Sequence, residues 1–418
     1  MASSPTLSRQ TNLPGAVLLG LGSMLGTGIY ATLGLAIPQA GSMWPIALLM
    51  ATIVALCNGL SSSRLAAVYP ESGGSYTYGY ELLHPLLGFT AGWMFLVAKS
   101  ASAAAAALAV AYLIPGGLPP GIVAAVTVIV FAILANQGMR RGNRINAILV
   151  GVGIAGLVAF IVWGLQDPPE LSFPNDEENA GNPRPVFAAA AILFVAFTGY
   201  GRVATMGEEI RDPARTIPIA VISTVITAAI LYYLVGLAGS SRFVGAGSAG
   251  LGVIATEGGA PKWLVVVISI GAVTALLGVL FNLILGLSRV ALAMARRTDL
   301  PSRFAVIDPS GKTPRRAVWL VALFIVGLCF VGPIRFAWEL SAAAVLVYYA
   351  IANLCALRLP NPPALTKPVA FIGLASCLHL AAHVPLRALI VAAGILVVGL
   401  VIRGFVRVPE EPEFEEKI

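Results

Sequence analysis

Apolar runs of about 17 to 25 residues recur along nearly the whole 418-residue chain, and a helix needs about 20 such residues to cross a bilayer. Nothing constrains the fold more. Backbone that enters hydrocarbon has no water to bond with, so it must satisfy its own N–H and C=O groups. With 58% of residues hydrophobic and 11% charged, apolar side chains far outnumber what one water-soluble core buries. The chain reads as an all-α polytopic membrane protein whose principal partner is the lipid bilayer.

Charges, prolines and glycines place the boundaries. Twelve transmembrane helices are expected, at 14–38, 43–68, 86–113, 119–136, 145–165, 186–206, 218–240, 263–292, 316–332, 338–357, 368–384 and 387–403. The first 12 residues carry only Arg9 as a charge, and no small-residue cleavage site follows the first apolar run, so that span reads as uncleaved. Basic residues gather in alternate loops, with Arg140, Arg141 and Arg144 in one and Arg296, Arg297 and Arg303 in another. The loop holding Asp167, Glu170, Asp176, Glu177 and Glu178 lies on the opposite side. Basic loops stay in the cytoplasm, so a cell-membrane protein with both termini cytoplasmic is expected. The acidic stretch 404–418 reads as a disordered cytoplasmic tail, and 1–13 as a short cytoplasmic N-terminus.

The same pattern limits function. The net charge of +7 comes from these topology-setting loops rather than from one basic face, which excludes nucleic acid as the expected partner. Cys57, Cys329, Cys355 and Cys377 lie inside apolar runs without ligand spacing, and the three histidines are scattered. Buried reduced thiols are expected, with no metal and no cofactor.

Within spans one and six, glycine interrupts what is otherwise helix. GLGSMLGTGIY carries four glycines in residues 20–30, and FTGYGRV follows in the sixth span. Corresponding glycine-interrupted segments in two halves of a chain point to a transporter with its site at the breaks. The halves are 14–165 and 186–357, and an odd number of spans in each inverts the second relative to the first. The competing reading is that Gly22 and Gly26 form a GxxxG packing face.

The segment Gly22-Ser23-Met24-Leu25-Gly26-Thr27-Gly28-Ile29-Tyr30 resembles the first-helix signature of the amino acid, polyamine and organocation (APC) superfamily. Three further segments are similar in order and spacing: Tyr69 to Tyr76, Glu208 to Pro218, and Ser288 to Pro301. The resemblance covers about the first 300 residues. It implies a leucine-transporter-type fold, two inverted five-helix repeats with helices 11 and 12 (368–403) added. It also implies an amino acid permease, with substrate carboxylate on the backbone at Gly26, Thr27 and Gly28. A helix beginning there offers free N–H donors and the positive end of its dipole. The carbonyls of Met24, Val195 and Thr198 would take the ammonium, and Phe197 would close the pocket.

The chain also departs from that pattern. Spans one, three, six and eight hold no Asp or Glu at their centres, which argues for neutral amino acids over polyamines or organic cations. The fifth-span lysine of many relatives aligns with Gly153, and the span-eight hydroxyls of sodium-coupled relatives with Leu277-Gly278-Val279. No sodium site is expected and both familiar coupling devices are missing, with protons a candidate coupling ion. Lys99 stands inside FLVAKSASAAAAAL, about 13 residues and about 20 Å up the third span. An intramembrane lysine is a functional hypothesis by default. It either substitutes for the missing cation near the first-span break, by titrating or by fixing unwound backbone, or merely pairs with a carbonyl or snorkels. Arg202 either replaces an acidic residue or pairs with Glu208 or Glu209. Asn282 bonds either ligand or helix, and Tyr348 and Tyr349 read as packing.

No paired acid, metal-binding HExxH or Ser/His spacing stands within the spans, so an enzyme is not expected. Secondary active transport remains, with an organic-cation permease, a transporter-like sensor or a channel as alternatives.

Overall fold

A computed structural model of the chain describes residues 11–30, 32–69, 73–114, 117–137, 139–166, 173, 176–179, 181–204, 210–240, 250–307 and 313–407. The described residues are helical apart from turns and loops, with no strand among them and a single parallel bridge between Thr11 and Ile210. Eight helices among them are long and apolar enough to cross a membrane. Of the expected disordered tail 404–418, residues 404–406 continue the last helix, Leu386–Val406, while residues 408–418, like Glu208 and Glu209, lie outside the described residues.

The first span begins as α1, Leu13–Gly22, with the Asn12 side chain accepting from the Gly15 N–H at 3.1 Å. It gives way to a turn at residues 23–26, resumes as α2, Thr27–Tyr30, and continues as α3, Thr32–Ala40. The apolar stretch does not stop there, but the chain does turn. Gly41 has φ +58°, a conformation glycine adopts without penalty, and α4, Trp44–Val68, starts beyond it. Asp176 secures this corner, accepting from the backbone of Ser42 at 2.8 Å and of Phe173 at 2.9 Å.

A short helix α5, Ser75–Leu82, leads into α6, Pro85–Leu113, which runs through the centre of the protein. Its alanine-rich stretch explains the position: small side chains let neighbouring backbones approach where hydrophobicity gives no drive between helices. Residues 94–111 are all buried. Next come α7, Pro120–Ala135, and α8, Met139–Gly164, with α9, Asp176–Asn179, in the loop that follows.

The sixth span is α10, Arg184–Phe197, a 3₁₀ turn at Thr198–Tyr200, and α11, Gly201–Ala204. This interruption tightens the helix, whereas the first span loses its helix for four residues. The chain goes on through α12, Pro213–Gly239, and α13, Leu251–Glu257, to the 35-residue α14, Lys262–Arg296. It finishes with α15, Arg315–Leu328; α16, Ile334–Leu357; α17, Thr366–Ala381; and α18, Leu386–Val406. Central α6 packs on α14 and α16, α8 packs on α14, and α1 lies against α12 and α8.

One polar cluster ties the far end of this bundle together. Asp299, fully buried after α14, accepts from Arg403 Nε at 2.8 Å, from Tyr76 Oη at 2.8 Å and from Tyr80 Oη, with Arg407 at 3.0 Å. Burial, then the hydrogen bond to Asp299, pushes the Tyr80 phenol above its ordinary value. The four cysteines are free and buried, as their apolar settings suggest.

Candidate functional site

The two interruptions touch. A methyl group added at Gly199 would sit 2.5 Å from the Ser23 carbonyl oxygen, so only glycine lets the 3₁₀ turn of the sixth span press against the turn of the first. Glycine serves close approach elsewhere in the signature as well. A Cβ at Gly26 would meet the Ala275 carbonyl of α14 at 2.4 Å, and one at Gly28 would meet Tyr232 Oη at 2.3 Å. At Gly22 the obstruction is Val150 of α8, at 2.7 Å. Helix packing and interruption are therefore one design here, not rivals.

Buried backbone carbonyls need donors, and an interrupted helix leaves several without an intrahelical one. Side chains from three other helices reach the carbonyls around the interruptions, of which those of Val195 and Thr198 also accept from the backbone N–H groups of Thr198 and Gly201. Tyr232 Oη of α12 stands 3.0 Å from the Met24 oxygen and 3.1 Å from that of Ala196, bridging the two interruptions. A phenol has one proton, so it serves these oxygens one at a time. Tyr30 Oη donates to the Gly153 oxygen at 2.8 Å, fastening the resumed first span to α8. Thr198 Oγ1 donates to the Val195 oxygen at 2.6 Å. Lys99 Nζ of α6 donates to the Thr198 oxygen at 3.0 Å and also to Thr198 Oγ1, while Tyr349 Oη of α16 approaches the same carbonyl at 3.5 Å.

Each oxygen expected from the sequence to take an ammonium thus carries a protein hydrogen bond already. Met24 is served by Tyr232, Val195 by Thr198, and Thr198 by Lys99. The Met24 oxygen keeps a second lone pair for a ligand, whereas those of Val195 and Thr198 also accept from the backbone N–H groups of Thr198 and Gly201. Gly26 ends the turn, Thr27 and Gly28 open α2, and Phe197 is fully buried with its ring 5.0 Å from that of Tyr232.

A small cavity opens beside the junction, lined among others by Ser23, Phe95, Lys99, Thr198, Arg202 and Asn282. Lys99 is 5% exposed and Arg202 8%. No carboxylate stands among the described lining residues. Asn282 bonds Asn146 of α8 at 2.6 Å, which settles its helix-to-helix role while its side chain still borders the cavity. Gly153 of α8 packs closely instead, for a Cβ there would lie 2.9 Å from the Ala275 Cβ. A wider depression, lined by Gln39, Asn179, Arg184 and His383, borders the start of α10; a narrower one sharing Gln39 and His383 reaches down to Ala191 and Ala342.

The amino acid permease family model matches residues 15–362, a stretch that holds both interruptions, Lys99 and the cavity beside them. The chain belongs to the amino acid permease family. An uncharacterized transporter of Mycobacterium tuberculosis is 39% identical over 412 residues, covering 96% of this chain and 92% of its own. The branched-chain amino acid permease BcaP of Bacillus subtilis is 29% identical over 75% of this chain and 73% of its own. Cationic amino acid transporter 6 of Arabidopsis thaliana is 27% identical over 84% and 65%. Family and relatives are transporters rather than enzymes, and the apolar helices make this permease a multi-pass membrane protein.

Sequence reasoning passed over Tyr232, Tyr30 and Asn146. Nothing in ILYYLVGLAG marks the first of its two tyrosines as the one that faces the interruptions. The register of α12 decides that, and Tyr233 beside it is 44% exposed.

Proposed function

We propose that this chain is a secondary active transporter, a permease or exchanger of neutral amino acids, working by alternating access with its substrate held where spans one and six are interrupted. In this reading it is a cell-membrane protein with cytoplasmic termini, built as two inverted five-helix repeats plus two helices. The observation that carries the reading is the meeting of the two interruptions at Ser23 and Gly199, beside a cavity with buried polar walls. Broken backbone is tolerated at membrane depth only where protein buries it or a cavity uses it. The residues proposed to bind substrate are Met24, Gly26, Thr27, Gly28, Val195, Phe197 and Thr198, with Lys99 as the coupling residue and protons as the coupling ion.

Charge supports the substrate class. Two cations and no carboxylate among the described lining residues disfavour a cationic amino acid or polyamine, since an uncompensated second positive charge at this depth is costly. The assay is counterflow of labelled amino acids in proteoliposomes. Saturable, trans-stimulated uptake is expected. Binding without flux identifies a sensor, flux without saturation a channel, and competition by putrescine or arginine an organic-cation permease.

A further inference from the structure

Lys99 places an ammonium on the two oxygens of Thr198, at the sixth-span interruption. The substrate reading above puts the ammonium of an amino acid at the same carbonyl. We propose that Lys99 is a resident stand-in for the substrate's α-ammonium: it holds the Thr198 oxygens in the empty site, and an arriving α-ammonium has to displace it. The inference rests on the reading that the two interruptions hold the substrate.

Two observations stand against joint occupation. Thr198 Oγ1 spends its own proton on Val195 and faces Lys99 as an acceptor, so it is already committed on both sides. The Thr198 carbonyl has Lys99 at 3.0 Å and Tyr349 at 3.5 Å, leaving no unapproached lone pair. Lys99 is 5% exposed, so it cannot leave its partners by swinging into bulk water. Displacement therefore turns the ammonium into the cavity that Lys99 borders or shifts the 3₁₀ turn.

A consequence for specificity follows. A carboxylic acid without an α-amino group leaves Lys99 where it is and finds the ammonium position already filled by the protein. The site is thus expected to take des-amino carboxylates about as readily as the parent amino acids. It rejects ligands that bring a second positive charge.

The test uses the full chain in lipid nanodiscs. A thermal-shift screen of the twenty amino acids first picks one that binds; failure of all twenty overturns the substrate reading and with it the proposal. Dissociation constants are then measured for that amino acid and its des-amino acid, leucine with 4-methylpentanoate if leucine is chosen. An ammonium hydrogen bond is worth about ten- to a hundredfold in affinity. Wild type is expected to hold the two ligands within about tenfold of each other, and a larger preference for the amino acid overturns the proposal without any variant. Lys99→Met is expected to bind the amino acid at least about tenfold more tightly and the des-amino acid at least about tenfold more weakly. Parallel weakening of both, with their ratio unchanged, shows that Lys99 merely braces the turn and overturns the proposal.

Discussion

Replacing Asp299 by asparagine keeps the shape of the side chain and removes the charge around which one end of the bundle is assembled. Asp299 is fully buried and Arg403, its partner at 2.8 Å, has a side chain only 11% exposed. Taking one member from a buried pair leaves the other's charge without compensation, at a cost of about 3–5 kcal/mol. Arg407 bonds the same carboxylate at 3.0 Å, but its side chain is 37% exposed, so its share is about 0–1 kcal/mol. We expect Asp299→Asn to lose about 4 kcal/mol of stability. The pair itself need not be stabilising, since apolar residues of the same volume often do as well. Arg403→Met should therefore also destabilise, while the double variant should lose about 2 kcal/mol less than the two single losses summed. Unfolding followed reversibly in mixed micelles measures the cycle, repeated at high salt, where a buried bond persists and an exposed one fades. A loss below about 1 kcal/mol for Asp299→Asn, or single effects that add to within about 0.5 kcal/mol, refutes the argument that the cluster acts as one buried unit.

Other outcomes follow from the same geometry. Tyr232→Phe removes the proton that serves Met24 and Ala196, so at least one buried carbonyl loses its donor at about 1–3 kcal/mol, and counterflow should fall with it; unchanged melting and transport would dismiss the bridge. Gly28→Ala drives a methyl group onto Tyr232 Oη and should cost about 1–3 kcal/mol by overpacking. Gly151→Ala, with nothing within 4 Å of its Cβ, is the control and should leave melting unchanged or raise it. Gly41→Ala combines a φ of +58° with a collision against Asp176 and should lower the melting temperature more than Gly151→Ala does. Burial alone would raise the Asp176 carboxyl, but the N–H groups of Ser42 and Phe173 hold it below its ordinary value. Its contribution to stability is thus full above the ordinary Asp value of about 3.9 and fades as pH falls through the lowered one. An Asp176→Asn deficit that stays the same in acid as at neutral pH would contradict that sign.

The helical class and several helix limits were legible in the residues because hydrocarbon imposes a length and a composition on anything that crosses it, although Met139–Gly164 and Pro213–Gly239 begin six and five residues before the expected 145 and 218. Expected spans such as 43–68 and 86–113 differ from Trp44–Val68 and Pro85–Leu113 by a residue at their starts. The two interruptions were legible for a related reason, since glycine clusters inside apolar helix have few uses. What one-dimensional reading could not see is which side chain repairs each interruption. Gly28 and Tyr232, or Lys99 and Thr198, are brought together by helices distant in the chain.

The sequence by itself determined that this chain is a helical membrane protein, where two of its helices break and, through its motifs, the family it resembles. Only the tertiary structure decided that Gly26, Gly28 and Gly199 are needed for close approach, that Asn282 spends its amide on Asn146, and that Lys99 meets the sixth span rather than the first. The physical reason is one of range. Hydropathy and glycine content act along a single helix and are written in consecutive residues. A donor for an orphaned carbonyl is chosen by the rotation and depth of a neighbouring helix, which packing alone sets.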